Sequence, residues 1–372
     1  MMRKVIFAAA LSALVLSISA ASLAQSPYYV LTNDENTANT ATVFNLNPSN
    51  GNMSLVTTLQ TGGEAQTGGF YAGVTQAISP GAACIFIADG GNGADIAAFS
   101  KATGYAKVGN YVDSQLYGAA NMPMIVNSTG TLLYAAYEFT SNLGVWTINP
   151  DCSLTIANIY ATGPFLGSMT ITHDGTTLLM TYEVVKIVGS YTISGSTLTN
   201  SQGARTIADV SGIAVTNDDQ VVIMGTAYSK AHPSEIVTAS LPGFTNQTAW
   251  TVGPGYSAGS IVLTAPAAAG NGCLYIGNTG DGSSGTAGVT GATFSENPLT
   301  LTYVNNVTSS LPTYVGNITT IVGQGNGAGI YAAETAGYIG VYSASSDCSV
   351  KLVKESPDPN STSLLSISGW VK

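Results

Sequence analysis

Charge is scarce in this chain: 8% of its 372 residues are Asp, Glu, Lys or Arg, and 10 basic side chains against 20 acidic ones leave a formal charge of −10. After Arg3 and Lys4 there is no basic run, and Arg205 is the one arginine that remains. Nucleic acid and anionic membranes both select clustered Lys and Arg, so neither is an expected partner, and phosphorylated substrates are disfavoured. Two histidines leave little for a His-rich metal centre. No Gly-rich phosphate loop, G-x-S-x-G elbow, H-E-x-x-H or EF-hand loop occurs. The four cysteines include no C-x-x-C, which argues against a zinc site. No amphipathic helical stretch follows residue 24.

What the chain does have is β-prone and turn-rich, with 43 Gly and 19 Tyr alongside abundant Ser, Thr and Asn. Its first residues read as a leader. Arg3 and Lys4 precede an apolar run from Val5 to Ala20, and Ser22-Leu23-Ala24 supplies the small residues of a cleavage site. The run is too short for a stable membrane span, so residues 1–24 are expected to be a cleaved signal peptide. The remaining 25–372 then form one exported domain, secreted or periplasmic and expected to be a monomer.

A phrase of about fifty residues recurs seven times, which marks a propeller or a solenoid. It consists of an apolar strand, a Gly/Asp/Asn turn, and a second strand such as YYVLTN ending at Asn33, CIFIAD ending at Asp89, or CLYIGN ending at Asn278. Innermost strands are legible from Gly73, Met122, Gly167, Ser211, Gly259, Asn317 and Ser363. The last has no second strand after it, and Tyr28 opens a second strand with no inner strand before it. Residues 363–368 are therefore expected to complete the first blade and close the ring, which removes the open edges. The fold class is all-β: a seven-bladed β-propeller of four-stranded antiparallel blades.

The turn and hairpin motifs, among them Asn127-Ser128-Thr129-Gly130-Thr131-Leu132-Leu133-Tyr134, Thr172-His173-Asp174-Gly175 and Asn47-Pro48-Ser49-Asn50-Gly51, resemble those of the lactonase-type propellers. That group includes 6-phosphogluconolactonase-like and YVTN-repeat proteins. The resemblance spans the whole mature chain and implies a seven-bladed fold, with hydrolysis of a sugar lactone or related cyclic ester as an activity. Sites in that group are described with His, Arg and Glu at the channel mouth. The matching residue types here are His232, Arg205, Glu183 and Glu334.

Four cysteines in an exported chain suggest two disulfides. On the repeat map Cys84 and Cys273 both open second strands, while Cys152 and Cys348 both sit in Asp-Cys-Ser hairpins one blade further on. Cys84–Cys152 and Cys273–Cys348 are thus the expected staples between neighbouring blades.

Where the repeated phrase should end in Asn, it reads Asn33-Asp34, Asp89, Glu138, Glu183, Thr226, Asn278 and Glu334. Loops entering the inner strands carry Tyr71, Tyr117, Phe165, Tyr256 and Tyr314 toward the same rim. Carboxylates interleaved with aromatic faces can bond hydroxyls and stack on sugar rings, so a carbohydrate or cell-surface partner is expected there; a hydrolase or a purely structural envelope protein are the alternatives. Ordinary turn chemistry also accounts for each residue taken singly. No cofactor is expected, although the loops 89–95 and 278–282 carry oxygen ligands that calcium favours.

Overall fold

The computed structural model describes residues 28–371 apart from 48–49, 66–73, 92, 118–121, 184, 202–204, 207–209, 227–234, 252–257, 264–270, 281–282, 284, 297, 322–328 and 365. Within them the chain forms seven antiparallel sheets. The inner strands are Ser366–Val371, Gln76–Ile78, Met124–Val126, Leu166–Ile171, Val210–Val215, Ala258–Leu263 and Val315–Ile321, for blades one to seven. Each pairs with a second strand: Tyr28–Asn33, Cys84–Asp89, Leu132–Tyr137, Thr177–Tyr182, Val221–Thr226, Asn271–Asn278 and Gly329–Glu334. Third and outer strands complete each blade. Helix is confined, among the described residues, to single turns at Pro80–Ala82 and Lys101–Thr103, and no helix there is long and apolar enough to cross a membrane.

Side chains alternate across a strand, so each second strand presents one row to the preceding blade and the other to the following one. Tyr29 and Leu31 meet Ile85 and Ile87 between blades one and two, while Phe86 and Ala88 meet Leu133 and Ala135 between blades two and three. The same rule generates an apolar cluster at every junction around the ring. Burial on this pattern contributes roughly 1.5–3 kcal/mol per large aliphatic side chain. Strands buried on both faces explain why the second strands read as nearly continuous apolar runs rather than as alternating ones.

The ring closes through its ends, but three residues later than the spacing implies. The closing strand is Ser366–Val371 rather than 363–368, in register Asn33↔Ser366 through Tyr28↔Val371. The shift sets Trp370 opposite Tyr29, where the rings stack 5.2 Å apart, and leaves Leu364 buried in the seam cluster ahead of the strand. Side-chain amides pin the closing strand on both flanks. Asn317 of blade seven donates to the Ile367 carbonyl (3.0 Å) and accepts from the Ile367 N–H (2.6 Å). Gln76 of blade two bonds the Ser366 and Ser368 hydroxyls.

Both disulfides form as the repeat map requires, Cys84–Cys152 and Cys273–Cys348, with Cα atoms 5.5 and 5.3 Å apart. They lie on the face where second strands begin, and such pairs are retained in an oxidising compartment.

Two measurements test this scheme. Each disulfide spans 68 or 75 residues, so reduction should lower unfolding free energy by about 4 kcal/mol per bond in the chain-entropy model, read from urea midpoints with and without reductant. Asn317→Ala removes the side-chain partner of the buried Ile367 carbonyl and should cost about 1–3 kcal/mol; an unchanged midpoint would remove the side-chain clasp from the account.

Candidate functional site

The face where second strands end and inner strands begin gathers most of the acidic residues picked out above. Strand register divides them into two classes. Asp34, Asp89 and Glu334 continue the rows that face the preceding blade: Val30 and Thr32 run on to Asp34, Ile85 and Ile87 to Asp89, Ile330 and Ala332 to Glu334. Glu138 and Glu183 lie one residue beyond their strands, which end at Tyr137 and Tyr182. A one-residue step turns a side chain to the other face, so these two face the following blade. Glu35, next after Asp34, falls in the same forward-facing class.

The backward-facing carboxyls are pegs between and within blades. Asp89 accepts from Asn39 Nδ2 (2.8 Å), which also donates to Asn33 Oδ1, and Asn33 in turn donates to Thr75 and to the Ala88 carbonyl. Burial pushes the Asp89 carboxyl up to about 7, although the Asn39 and Thr61 side chains oppose the shift. Glu334 is fully buried against Gly340, whose missing Cβ leaves room for Oε1; a Cβ there would stand 2.4 Å from it. It accepts from Ser309 Oγ at 3.3 Å, and burial followed by the nearby Glu355 charge pushes it up to about 8.

The forward-facing carboxyls instead reach the starts of inner strands, at the mouth of the central channel. Glu183 accepts from Ser211 Oγ (2.7 Å) at the head of the blade-five inner strand and lies over Gly167 of its own blade, where a Cβ would come within 2.5 Å of Cγ. Burial pushes it up to about 7, and the Glu138 charge adds to this. Glu35 accepts from Thr75 Oγ1 (3.2 Å), just ahead of the blade-two inner strand, and burial pushes it up to about 8. Inner strands are bulged at this end, between Leu166 and Ser168, Val210 and Ile213, Ala258 and Ser260, and Val315 and Ile318. Bulges re-aim side chains and recur at the rims of such rings. Below the mouth lies a cavity of about 300 Å³ lined by Gln76, Ser168, Thr319 and Ser368 together with Met124 and Met169.

Apolar side chains collar the acidic mouth on blades two to four. Tyr117 is 62% exposed and Phe139 63%, with Phe165 and Val185 exposed as well. Hydrogen bonds knit their loops together: Asn142 donates to the Gln115 carbonyl, Thr162 to Ser141, Ser141 to Glu138, and the Glu183 N–H to the Phe165 carbonyl (3.0 Å). Glu35 and Phe165 both adopt left-handed backbone, φ 55° and 58°, which side-chain-bearing residues seldom occupy and which costs of order 1–3 kcal/mol.

Tyr314 precedes the blade-seven inner strand on this same face, and its backbone pairs with Thr335, one residue past Glu334. Arg205 belongs to a two-residue segment on the outer edge of blade four, paired with Val188 near the rim end of the third strand, within the connection that leads to the blade-five inner strand. Tyr71, Tyr256 and His232 lie outside the described residues, as do the leader and parts of both loops considered for calcium. Asp95 of the first loop accepts from Asn110 (2.7 Å), and among the described residues no three His, Cys, Asp or Glu side chains cluster closely enough to hold a metal ion. His173, on the disulfide face, pairs with Asp219 of the next turn at 3.0 Å. Glu35, Thr75, Ser211, Phe139 and Val185 were not singled out by the spacing. Phe139 directly follows Glu138 and Val185 closely follows Glu183, a pattern visible only once the strand ends are known.

No protein-family profile matches the chain, and no curated protein matches it in sequence. Solved structures share its fold. A candidate 6-phosphogluconolactonase from Bacteroides uniformis superposes with a TM-score of 0.71 at 12% identity, over 92% of this chain and 99% of that one. A similar protein from Bacteroides fragilis gives 0.69 at 12%, over 92% and 98%. The periplasmic gluconolactonase of Pseudomonas aeruginosa gives 0.65 at 12%, over 93% and 99%. At such identities the likeness is one of architecture.

A carboxyl whose folded pKa is raised favours folding below its unfolded pKa, and that contribution is lost as pH rises through the folded value. For Glu334 the window runs from about 4.5 to about 8. Glu334→Gln, which cannot ionise, should therefore stabilise the protein at pH 8.5 by about 1–3 kcal/mol and change little at pH 5, as read from thermal melts at both pH values.

Proposed function

We propose that the protein is an exported propeller that binds a neutral, hydroxyl-rich ring, a sugar or sugar-like ligand, at the channel mouth. The observation that carries this reading is the forward-facing trio Glu35, Glu138 and Glu183, two of which bond hydroxyls at or just ahead of inner strands beside an exposed apolar collar. Glu35 and Glu183, pushed up to about 8 and about 7 by burial, can donate as well as accept, which suits a ligand whose hydroxyls do both. The faces of Phe165, Phe139 and Tyr117 offer the apolar side of a sugar ring a place to stack. The leader and the two disulfides support export.

A second reading, hydrolysis of a sugar lactone, is favoured by one further feature. Glu138 helps hold Glu183 near pH 7, where a carboxyl serves well as a general base. Water would add to the lactone carbonyl carbon as its proton passes to Glu183, and the ring C–O bond would break with that proton delivered to the departing oxygen. The fold shared with proteins named as lactonases agrees with this chemistry without assigning it.

Calorimetric titration of neutral monosaccharides and aldonolactones separates the readings. Saturable binding is expected, weakened tenfold or more, about 1.4 kcal/mol or more, in Glu183→Gln and in Phe165→Ala. Lactone hydrolysis above the spontaneous rate, lost in Glu183→Gln, would make the protein a hydrolase. Absence of saturable binding across the panel would overturn the binding reading.

A further inference from the structure

The seam where the two chain ends meet contains a second acidic arrangement, and its hydrogen bonds can be counted. Asp34 Oδ2 accepts from the hydroxyls of Thr40 (2.6 Å) and Thr42 (2.8 Å) on the third strand, Thr40–Asn47. Asp358, in the segment leading to the closing strand, accepts at Oδ1 from the Asn360 N–H (3.0 Å). The two remaining oxygens, Asp34 Oδ1 and Asp358 Oδ2, converge on one group: Thr32 Oγ1 lies 3.0 Å from the first and 2.7 Å from the second. A hydroxyl has a single proton to donate, and the Thr42 carbonyl competes for this one at 3.3 Å, so the two carboxyl oxygens cannot both be satisfied by it. Both are buried, at 0% and 4% exposure. Two carboxylates so placed cannot both be ionised without strong repulsion.

Hydroxyl and amide groups from several elements surround the pair. The second strand contributes Thr32, the third strand Thr40 and Thr42, and the outer strand Thr58, which receives Asn360 Nδ2. The closing segment contributes Asp358, Asn360 and Ser361, the last donating to the Asp34 carbonyl (2.7 Å). The blade-seven turn offers the Gly337 carbonyl to the Asp358 N–H. Glu35 is the neighbouring titratable group that feels the Asp34 charge, and among the described residues neither Asp34 nor Asp358 has an ion-pair partner.

We infer that ring closure is latched by one proton shared between Asp34 and Asp358, so that the seam loosens as pH rises. Glu35 follows Asp34 directly, and its neighbour Asn36 bonds the Asn360 carbonyl, so the latch also holds the blade-one side of the channel mouth. That consequence for ligand binding rests on the reading given under Proposed function. Burial and the mutual charge of the pair push Asp34 up to about 7, and burial pushes Asp358 upward as well. The latch is therefore closed in mildly acidic solution and released above neutrality.

Hydrogen exchange of the Ser366–Val371 segment, corrected for the intrinsic pH dependence of amide exchange, tests the latch at pH 5.5 and 8.5. Relative to the blade-five inner strand Val210–Val215, wild-type protection should fall about tenfold or more at the higher pH. Asp358→Asn, whose amide can donate permanently to Asp34, should abolish that fall; Asp34→Asn is the second variant should the first not fold. Equal wild-type protection at the two pH values, or an undiminished fall in a folded variant, overturns the latch. Sugar titrations at pH 5.5 keep the two proposals apart. A pH-independent seam with sugar binding intact defeats the latch alone, and a pH-sensitive seam without sugar binding defeats the ligand reading alone.

Discussion

Each blade of this ring must bury both faces of its sheet against its neighbours, and the rest of the structure follows from that constraint. A second strand with apolar rows on both sides leaves polar side chains nowhere to go except its ends. Acidic residues therefore collect on the face where those strands finish, and alternation then sorts them. Whether a carboxyl becomes a peg between blades or a group at the channel mouth depends on a single step along the backbone. Asp89 and Glu334 fall on one side of that division and Glu138 and Glu183 on the other, although all four occupy the same position in the repeated phrase.

Burial sets the chemistry of both classes. The pegs Asp89 and Glu334 and the mouth carboxyls Glu35 and Glu183 are pushed toward protonation, because low-dielectric surroundings and neighbouring carboxyls disfavour charge. In the pegs this is a stability matter, softened by Thr, Ser and Asn donors. Where inner strands begin it leaves Glu35 and Glu183, pushed up to about 8 and about 7, hydrogen-bonded to Thr75 and Ser211. The same physics governs the seam, where two carboxyls and one threonine hydroxyl connect the chain ends. Structure, site and closure thus share one vocabulary of buried carboxyl groups hydrogen-bonded by hydroxyls.

Much of the architecture was legible in the residues because it is repeated. Seven recurrences of one strand pair overdetermine the blade count, and the cysteines could be paired because their repeat positions match, Cys84 with Cys273 and Cys152 with Cys348. The closing strand was legible in kind but not in register. Ser363 to Ser368 has the look of an inner strand, yet the stacking of Trp370 on Tyr29 and the clasp of Asn317 on Ile367 select the frame three residues later. The rim was legible as a concentration of acidic residues and aromatics, of which Tyr117 and Phe165 are exposed. Glu35 escaped notice because it stands past the strand end, and its left-handed backbone is a property of the folded turn.

The amino-acid sequence by itself determined the blade repeat, the staples and the shortage of positive charge, since these depend on composition and on periodicities that local structure must obey. Tertiary structure alone decided which carboxyls face the following blade and which two share the seam. Those outcomes turn on register, bulges and contacts between residues as distant as Asp34 and Asp358, and a difference of one residue in any of them reverses the direction in which a side chain points.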